Sequence, residues 1–212
     1  MIFGHYTEEA LACAAALINT ADEDDELLPD VAALDEFVRA WGWTGGHERS
    51  QSELRAVQAL RPQLRRFWQL DEHGVVALIN EVLRDAHALP QLVKHDHWDY
   101  HLHATSPDAP LATRIAVDVA MAVIDVVRAK ELGRLRLCEF PRCANVIVDL
   151  SRNRSKRFCD AGCGNRAAVA AYRARQAGKP EPGDEPVHEL PWLEASGPAR
   201  PPRAPGKPRR PS

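Results

Sequence analysis

No run of apolar residues approaches the roughly 18 needed to cross a bilayer, so a membrane-spanning helix is not expected. The opening MIFGHYTEEA lacks the charged and apolar blocks of a secretory leader, which points to a reducing cytoplasm where disulfides do not persist. Nor is there a catalytic triad, a glycine-rich phosphate loop or a carboxylate pair with catalytic spacing. The expectation is therefore a protein that is not an enzyme. Aromatic residues make up only 6% of the 212, and Tyr172 and Phe158 are the only ones between Arg142 and Arg175. That is fewer than a platform for stacking single-stranded bases usually displays.

Cysteine is scarce too, at five, but four of them are concentrated in one stretch as Cys138-x4-Cys143-x15-Cys159-x3-Cys163. Two close pairs across a hairpin-sized insert suit a tetrahedral thiolate zinc site, each pair on a tight turn so that its sulfurs reach one ion at about 2.3 Å. The alternatives are two disulfides or reduced thiols that merely pack. The reducing compartment argues against the first. Four cysteine ligands leave no open position for a water nucleophile, so one structural Zn2+ is expected. Cys13 has no neighbour of its kind and reads as a small buried hydrophobe.

Between the pairs, ANVIVD (144–149) is rich in β-branched residues, SRNRS (151–155) is turn-like, and KRFC is expected to return as a second short strand. After Cys163, GNRAAVAAYRAR reads as a helix of about three turns. Hairpin, knuckle and ligand-bearing helix together predict a treble-clef-like finger. So small a unit has little apolar area of its own, and metal supplies much of its stability.

The tetrapeptide Cys163-Gly164-Asn165-Arg166, trailed by AAVAAYRAR, resembles the CGNR zinc-finger family, bacterial proteins regarded as stress-induced transcription regulators. LINTAD (17–22) and WDYHLHAT (98–105) look like that family's helical N-terminal domain, so the resemblance covers about residues 1–175. It implies DNA binding by the finger and a helical partner domain.

Charge separates along the chain in a way the net value of -3 conceals. Residues 1–132 carry 11 Lys and Arg against 22 Asp and Glu, whereas residues 133–175 carry 10 against 3. An acidic body joined to a basic finger is the layout of a nucleic-acid binder whose contacts lie in one module. Arg152, Arg154, Lys156 and Arg157 are expected to contact phosphate. Asn165, Arg166, Arg173 and Arg175 are the candidates on the helix, where arginine suits guanine or phosphate and asparagine adenine. Asn165 and Arg166 have a second reading, as braces of the metal turn. Val169 is expected to pack inward.

The expected fold is mainly α: a helical domain over 1–132 with a small β-hairpin, a four-cysteine zinc finger over 133–176, and a disordered tail over 177–212. Thr7 is a candidate cap for a first helix bearing Leu11, Leu17 and Ile18, and Asp30 for a second. Ser50 or Ser52 opens a third, in which Pro62 predicts a kink or break. A fourth helix is predicted over 71–88 and a long one over 108–132, stopped by Gly133. The acidic run 22–26 is expected to be a solvated loop. A hairpin over 91–103 carries His95, His97, His101 and His103, and alternation puts His101 and His103 on one face. They read either as ordinary hairpin histidines or as half of a metal or anion site. The tail has ten prolines and too little apolar area to offset its ordering entropy.

The expected function is a zinc-dependent regulator that binds double-stranded DNA in the cytoplasm and at the nucleoid, working as a homodimer because one finger helix reads only a short half-site. The alternatives are an RNA-binding or a protein-interaction module. The effector of the helical domain is not legible.

Overall fold

The computed structural model describes residues 2–21, 25–94 and 100–177. The expectations for residues 22–24, for His95 and His97, and for the proline-rich tail lie outside the described residues. No helix among those described is long and apolar enough to cross a membrane.

Helix α1 (His5–Ile18) begins two residues before the expected Thr7 cap. Two competing bonds explain the shift. The Glu8 carboxylate accepts from the backbone N–H groups of Ile2 and Phe3, which fixes the entry from Gly4. The Thr7 hydroxyl is taken instead by Asp125 across the core, at 2.7 Å. Asp30 does cap α2 (Val31–Ala40), accepting from Ala33, and Ser50 caps α3 (Gln51–Arg65), accepting from Glu53. Each satisfies an N–H group that has no partner within its helix.

Pro62 does not break α3, which runs on into a 3-10 turn at Arg66–Trp68. A proline here removes the N–H that would bond the Gln58 carbonyl. The Arg61 guanidinium supplies a replacement donor to that carbonyl at 3.2 Å. The same group grips Glu26 through two bonds, so Glu26, exposed as expected of the acidic loop, also pairs with a buried arginine.

Asp71 caps α4 (Glu72–Asp85), and the chain then forms a two-stranded antiparallel hairpin of β1 (Gln91–Val93) and β2 (His101–His103). Helix α5 (Leu111–Arg128) is the spine of the body and packs on α1, α3 and α4. Ile115, Val119, Val123 and Val126 are all buried along it. Each contributes about 1.5–3 kcal/mol of burial free energy. Its ends differ from the predicted 108–132. Pro110 disfavours helical backbone at Ala109 and so sets the start. The stop is not Gly133 but Lys130, which takes φ 58 while its N–H bonds Val127 and that of Glu131 bonds Val126. That pair of bonds is a left-handed helix closure in which lysine occupies the position glycine usually fills.

Gly45 is a position where glycine is required: φ is 88, and a Cβ would lie 2.7 Å from the Pro107 carbonyl oxygen. This contact locks the loop after α2 against the approach to α5.

A second 3-10 turn (Leu132–Arg134) leads directly into β3 (Leu135–Leu137), which pairs antiparallel with β4 (Val146–Val148). The predicted hairpin partner, KRFC, is not a strand. Its place beside β4 is taken by Leu135–Leu137, because the first cysteine turn itself reverses the chain. Arg157 contributes only one backbone bond, from the N–H of Glu139 to its carbonyl. Leu135, Val146 and Val148 belong to the same hydrophobic core as α1, α3 and α5. The last described element is α6 (Cys163–Ala177).

Candidate metal centre

The first sulfur pair lies on the turn between β3 and β4. Cys138 donates its N–H to Asn145 and Cys143 donates its own to Phe140, with Arg142 between them at φ 64. The second pair spans the start of α6, where Gly162 adopts φ 78 and accepts from the Arg166 N–H as the first helical bond. A side chain at Gly162 would strain that turn.

The loop connecting the pairs is built on Asp149, which is wholly buried. Its carboxylate accepts from the Ser151 N–H and hydroxyl and from the Lys156 N–H, with Arg136 at 3.6 Å. Burial alone would raise its pKa, but these donors outweigh it and hold the group below the usual carboxylate range. SRNRS is thus a turn wound around a buried anion.

The four sulfurs, Cys138, Cys143, Cys159 and Cys163, lie within 4.8 Å of one another, and Cys159 sits 3.7 Å from Cys143 and 3.4 Å from Cys163. Tetrahedral zinc with bonds of about 2.3 Å requires sulfurs about 3.8 Å apart. A disulfide would bring two of them to about 2 Å, and none of the five cysteines is in a disulfide. The spacing therefore fits one ion and excludes the disulfide alternative.

The groups around the sulfurs fit thiolates as well. The Asn145 amide donates to Cys159 at 3.4 Å, the Cys159 N–H donates to Cys138 at 3.4 Å, and the Arg166 guanidinium donates to Cys163 at 2.9 Å. Burial pushes the Cys143 thiol up to about 12. At Cys159 burial acts in the same direction, yet the Asn145 amide and its neighbours outweigh it and bring the thiol down to about 7. Four thiolates on one divalent cation carry a net charge of -2, and an arginine on one sulfur offsets part of it. Zinc held here is structural: it joins the β3–β4 turn to the base of α6.

Arg166 is therefore engaged at the centre, with its guanidinium also 5.0 Å from the Phe140 ring centroid. The other basic candidates divide into two groups. Arg154 pairs with Glu131, Lys156 with Asp160, and Arg157 with Glu139, all at the surface. Arg152, Arg173 and Arg175 are exposed, and so is Asn165. Arg142 is a further exposed cation, which sequence reasoning passed over; its position inside the cysteine turn was the signal. Val169 does not pack inward: it is 49% exposed, and Tyr172 56%. Helix α6 meets the finger mainly through its first turn, so residues beyond Ala167 have no core to enter.

His101 and His103 do share a face, and their Nε2 atoms approach to 2.8 Å. The Tyr6 ring lies 4.9 Å from His101 between centroids. Among the described residues, the four cysteines alone form a cluster of three or more groups able to hold a metal. Among the described residues, the histidine pair gains no third metal-ligating group.

Behind it lies Asp118, 8% exposed, hydrogen-bonded by the Tyr6 hydroxyl. Burial raises its pKa to about 6, against the opposing effects of Tyr6 and Arg114. A carboxyl whose pKa is higher folded than unfolded destabilises the fold as it ionises, so stability falls as pH rises from about 4 to about 6. Asp118→Asn is expected to flatten that slope and, at pH 7.5, to recover roughly 2–3 kcal/mol. Urea unfolding of both proteins at pH 4.5 and 7.5 checks this. An unchanged slope would show that another group carries the dependence.

A helical body whose core continues into a four-thiolate knuckle defines a zinc-finger protein with an N-terminal helical domain. Residues 11–130 match the family model ABATE, described as "Putative stress-induced transcription regulator", and residues 134–176 match the CGNR zinc finger. The chain belongs to the ABATE family and carries its finger at the C-terminal side of that domain. No match is found among the curated proteins.

Proposed function

We propose that this protein is a zinc-dependent transcription regulator, not an enzyme, and that its finger binds duplex DNA. The observation that carries the reading is the open surface of α6. Its base is tied to the metal centre, while Asn165, Ala168, Tyr172, Arg173 and Arg175 face solvent. A helix anchored at one end and exposed along most of its length suits the major groove, whose width admits a helix. Arg142 and Arg152 on the adjoining turns supply phosphate contacts that position the helix. Arg154, Lys156 and Arg157 join them by exchanging surface carboxylates for phosphates, since exposed ion pairs contribute little. Arg166 is removed from base readout and serves the metal centre instead. One short helix reads a short half-site, so a homodimer on a two-part operator is the working form, in the cytoplasm and on the nucleoid.

The test is a salt titration of the full chain on a random duplex pool and a single-stranded RNA pool, with and without chelator, followed by repeated selection. Duplex binding that chelator abolishes, with sequences enriched, is expected. Arg152→Ala should weaken binding uniformly and lower the salt slope by about 1, whereas Arg173→Ala should also relax the selected sequence. Preference for the RNA pool, or duplex binding indifferent to zinc, would sink the reading.

A further inference from the structure

Away from the finger, the helical body contains a cavity of about 990 Å³. Its walls come from α1 (Tyr6, Glu9, Cys13), the loop after α2 (Trp41, Trp43), β2, and α5 (Arg114, Asp118). The volume matches that of cavities that enclose a drug-sized ligand. The zinc-finger reading makes no use of it.

The charges inside are unevenly satisfied. The Arg114 guanidinium is pinned by three backbone carbonyls, those of Thr44, Gly46 and Ala109. Its donors thus hold the surrounding loops. The imidazoles of His101 and His103 meet each other through Nε2 at 2.8 Å. Against these stand two carboxylates. Asp118 is buried and is met by the Tyr6 hydroxyl. Glu9 Oε2 is buried and has no hydrogen-bond partner, with His5 Nε2 4.0 Å away. Glu9 nonetheless lines the cavity with a side chain that is 37% exposed, so its charge lies within reach of a ligand there.

Aromatic surface completes the site. Tyr6, Trp41 and Trp43 line it, and the Trp43 indole N–H is fixed on Cys13 at 3.4 Å. Aromatic faces beside carboxylates attract organic cations, through the ring quadrupole as well as through charge. An anion would meet Glu9 and Asp118 as like charges.

We propose that the cavity binds a small organic cation, an amine on a flat aromatic body, with the Glu9 and Asp118 carboxylates as its counter-charges. The ligand enters as a cation held by hydrogen bonds; no covalent step is involved. The site is independent of what the finger binds.

Two xanthene dyes of similar size and opposite charge test this on the zinc-loaded full chain by fluorescence polarisation. Rhodamine 6G, the cation, is expected to bind, and fluorescein, the anion, to bind at least about tenfold more weakly. Glu9→Gln and Asp118→Asn should each cost about ten- to hundredfold in rhodamine affinity, the range for hydrogen bonds to charged groups. Both are near-isosteric, and a thermal melt of each establishes that the fold is retained. Equal or tighter binding of fluorescein would overturn the proposal, as would failure of rhodamine to bind. Rhodamine binding that neither substitution weakens would equally overturn it, since it would report adsorption to the acidic surface.

Discussion

Cys163→Ser is expected to release the zinc and unfold the finger while leaving the helical body in place. Cys163 is fully buried, sits at the first position of α6 and receives the Arg166 guanidinium. A serine hydroxyl stays protonated and cannot act as the fourth thiolate. Its loss also leaves an arginine on Phe140 without its anion. Zinc contributes about 10–16 kcal/mol to the folding of small fingers, more than the short β3–β4 hairpin and one turn of contact could replace. Metal analysis should fall from one zinc per chain to less than about a tenth, with a loss of ellipticity that matches α6. The body's thermal transition should persist at lower temperature, because Val146 and Val148 fill part of its core. Arg166→Ala should keep the ion and weaken its affinity about 10- to 100-fold, as loss of a neighbour to a ligand does. A Cys163→Ser protein that retains full zinc would refute the four-thiolate centre.

The parts of this fold that were legible in the sequence are those written in local periodicity. Ile115, Val119, Val123 and Val126 are spaced to share a helix face, and they do. The errors came where a distant group decided the outcome. Thr7 has the chemistry of a cap, but Asp125 lies within reach of its hydroxyl and claims it. Pro62 should interrupt a helix, yet Arg61 supplies the missing donor from the neighbouring position. Strand pairing failed for a related reason. KRFC looks no less strand-like than LRL, and the choice between them rests on a cysteine turn that is also a chain reversal.

At the metal centre the spacing of four cysteines was sufficient, because a tetrahedral ion imposes nearly the same geometry wherever it is bound. The basic surface was less legible. Ten Lys and Arg can be counted between residues 133 and 175, but Glu131 and Glu139 hold Arg154 and Arg157, and a sulfur holds Arg166. Charge density can be read from sequence; availability requires the partners. The cavity was hidden more completely. Glu9 and Asp118 face one space from helices at opposite ends of the body's sequence, and only the alternation of His101 and His103 pointed there.

The second large effect is expected at Asn19, which follows α1. Its side-chain amide imitates a strand: Nδ2 donates to the Val146 carbonyl at 2.9 Å, and Oδ1 accepts from the Val146 N–H at 2.8 Å. Val146 is only 1% exposed, and the pattern of β3–β4 pairing turns both of these groups away from β3. Water cannot easily replace the amide. Asn19→Ala leaves two buried backbone groups unsatisfied, at about 1–3 kcal/mol each, and so should cost roughly 2–6 kcal/mol. For a chain of this size that lowers Tm by at least about 4 °C. Asn19→Asp keeps the acceptor but sets a carboxylate oxygen against the Val146 carbonyl, and should cost at least as much as alanine. Faster hydrogen exchange at Val146, with zinc content unchanged, would separate loss of this clamp from loss of the metal. Trp68 and Arg65 also donate to this segment, at Ile147 and Ala144, so β4 should loosen and not detach. The helix that brings Glu9 to the cavity thus leads to Asn19, and a cost below about 1 kcal/mol would mean that α1 and the finger are neighbours without being joined.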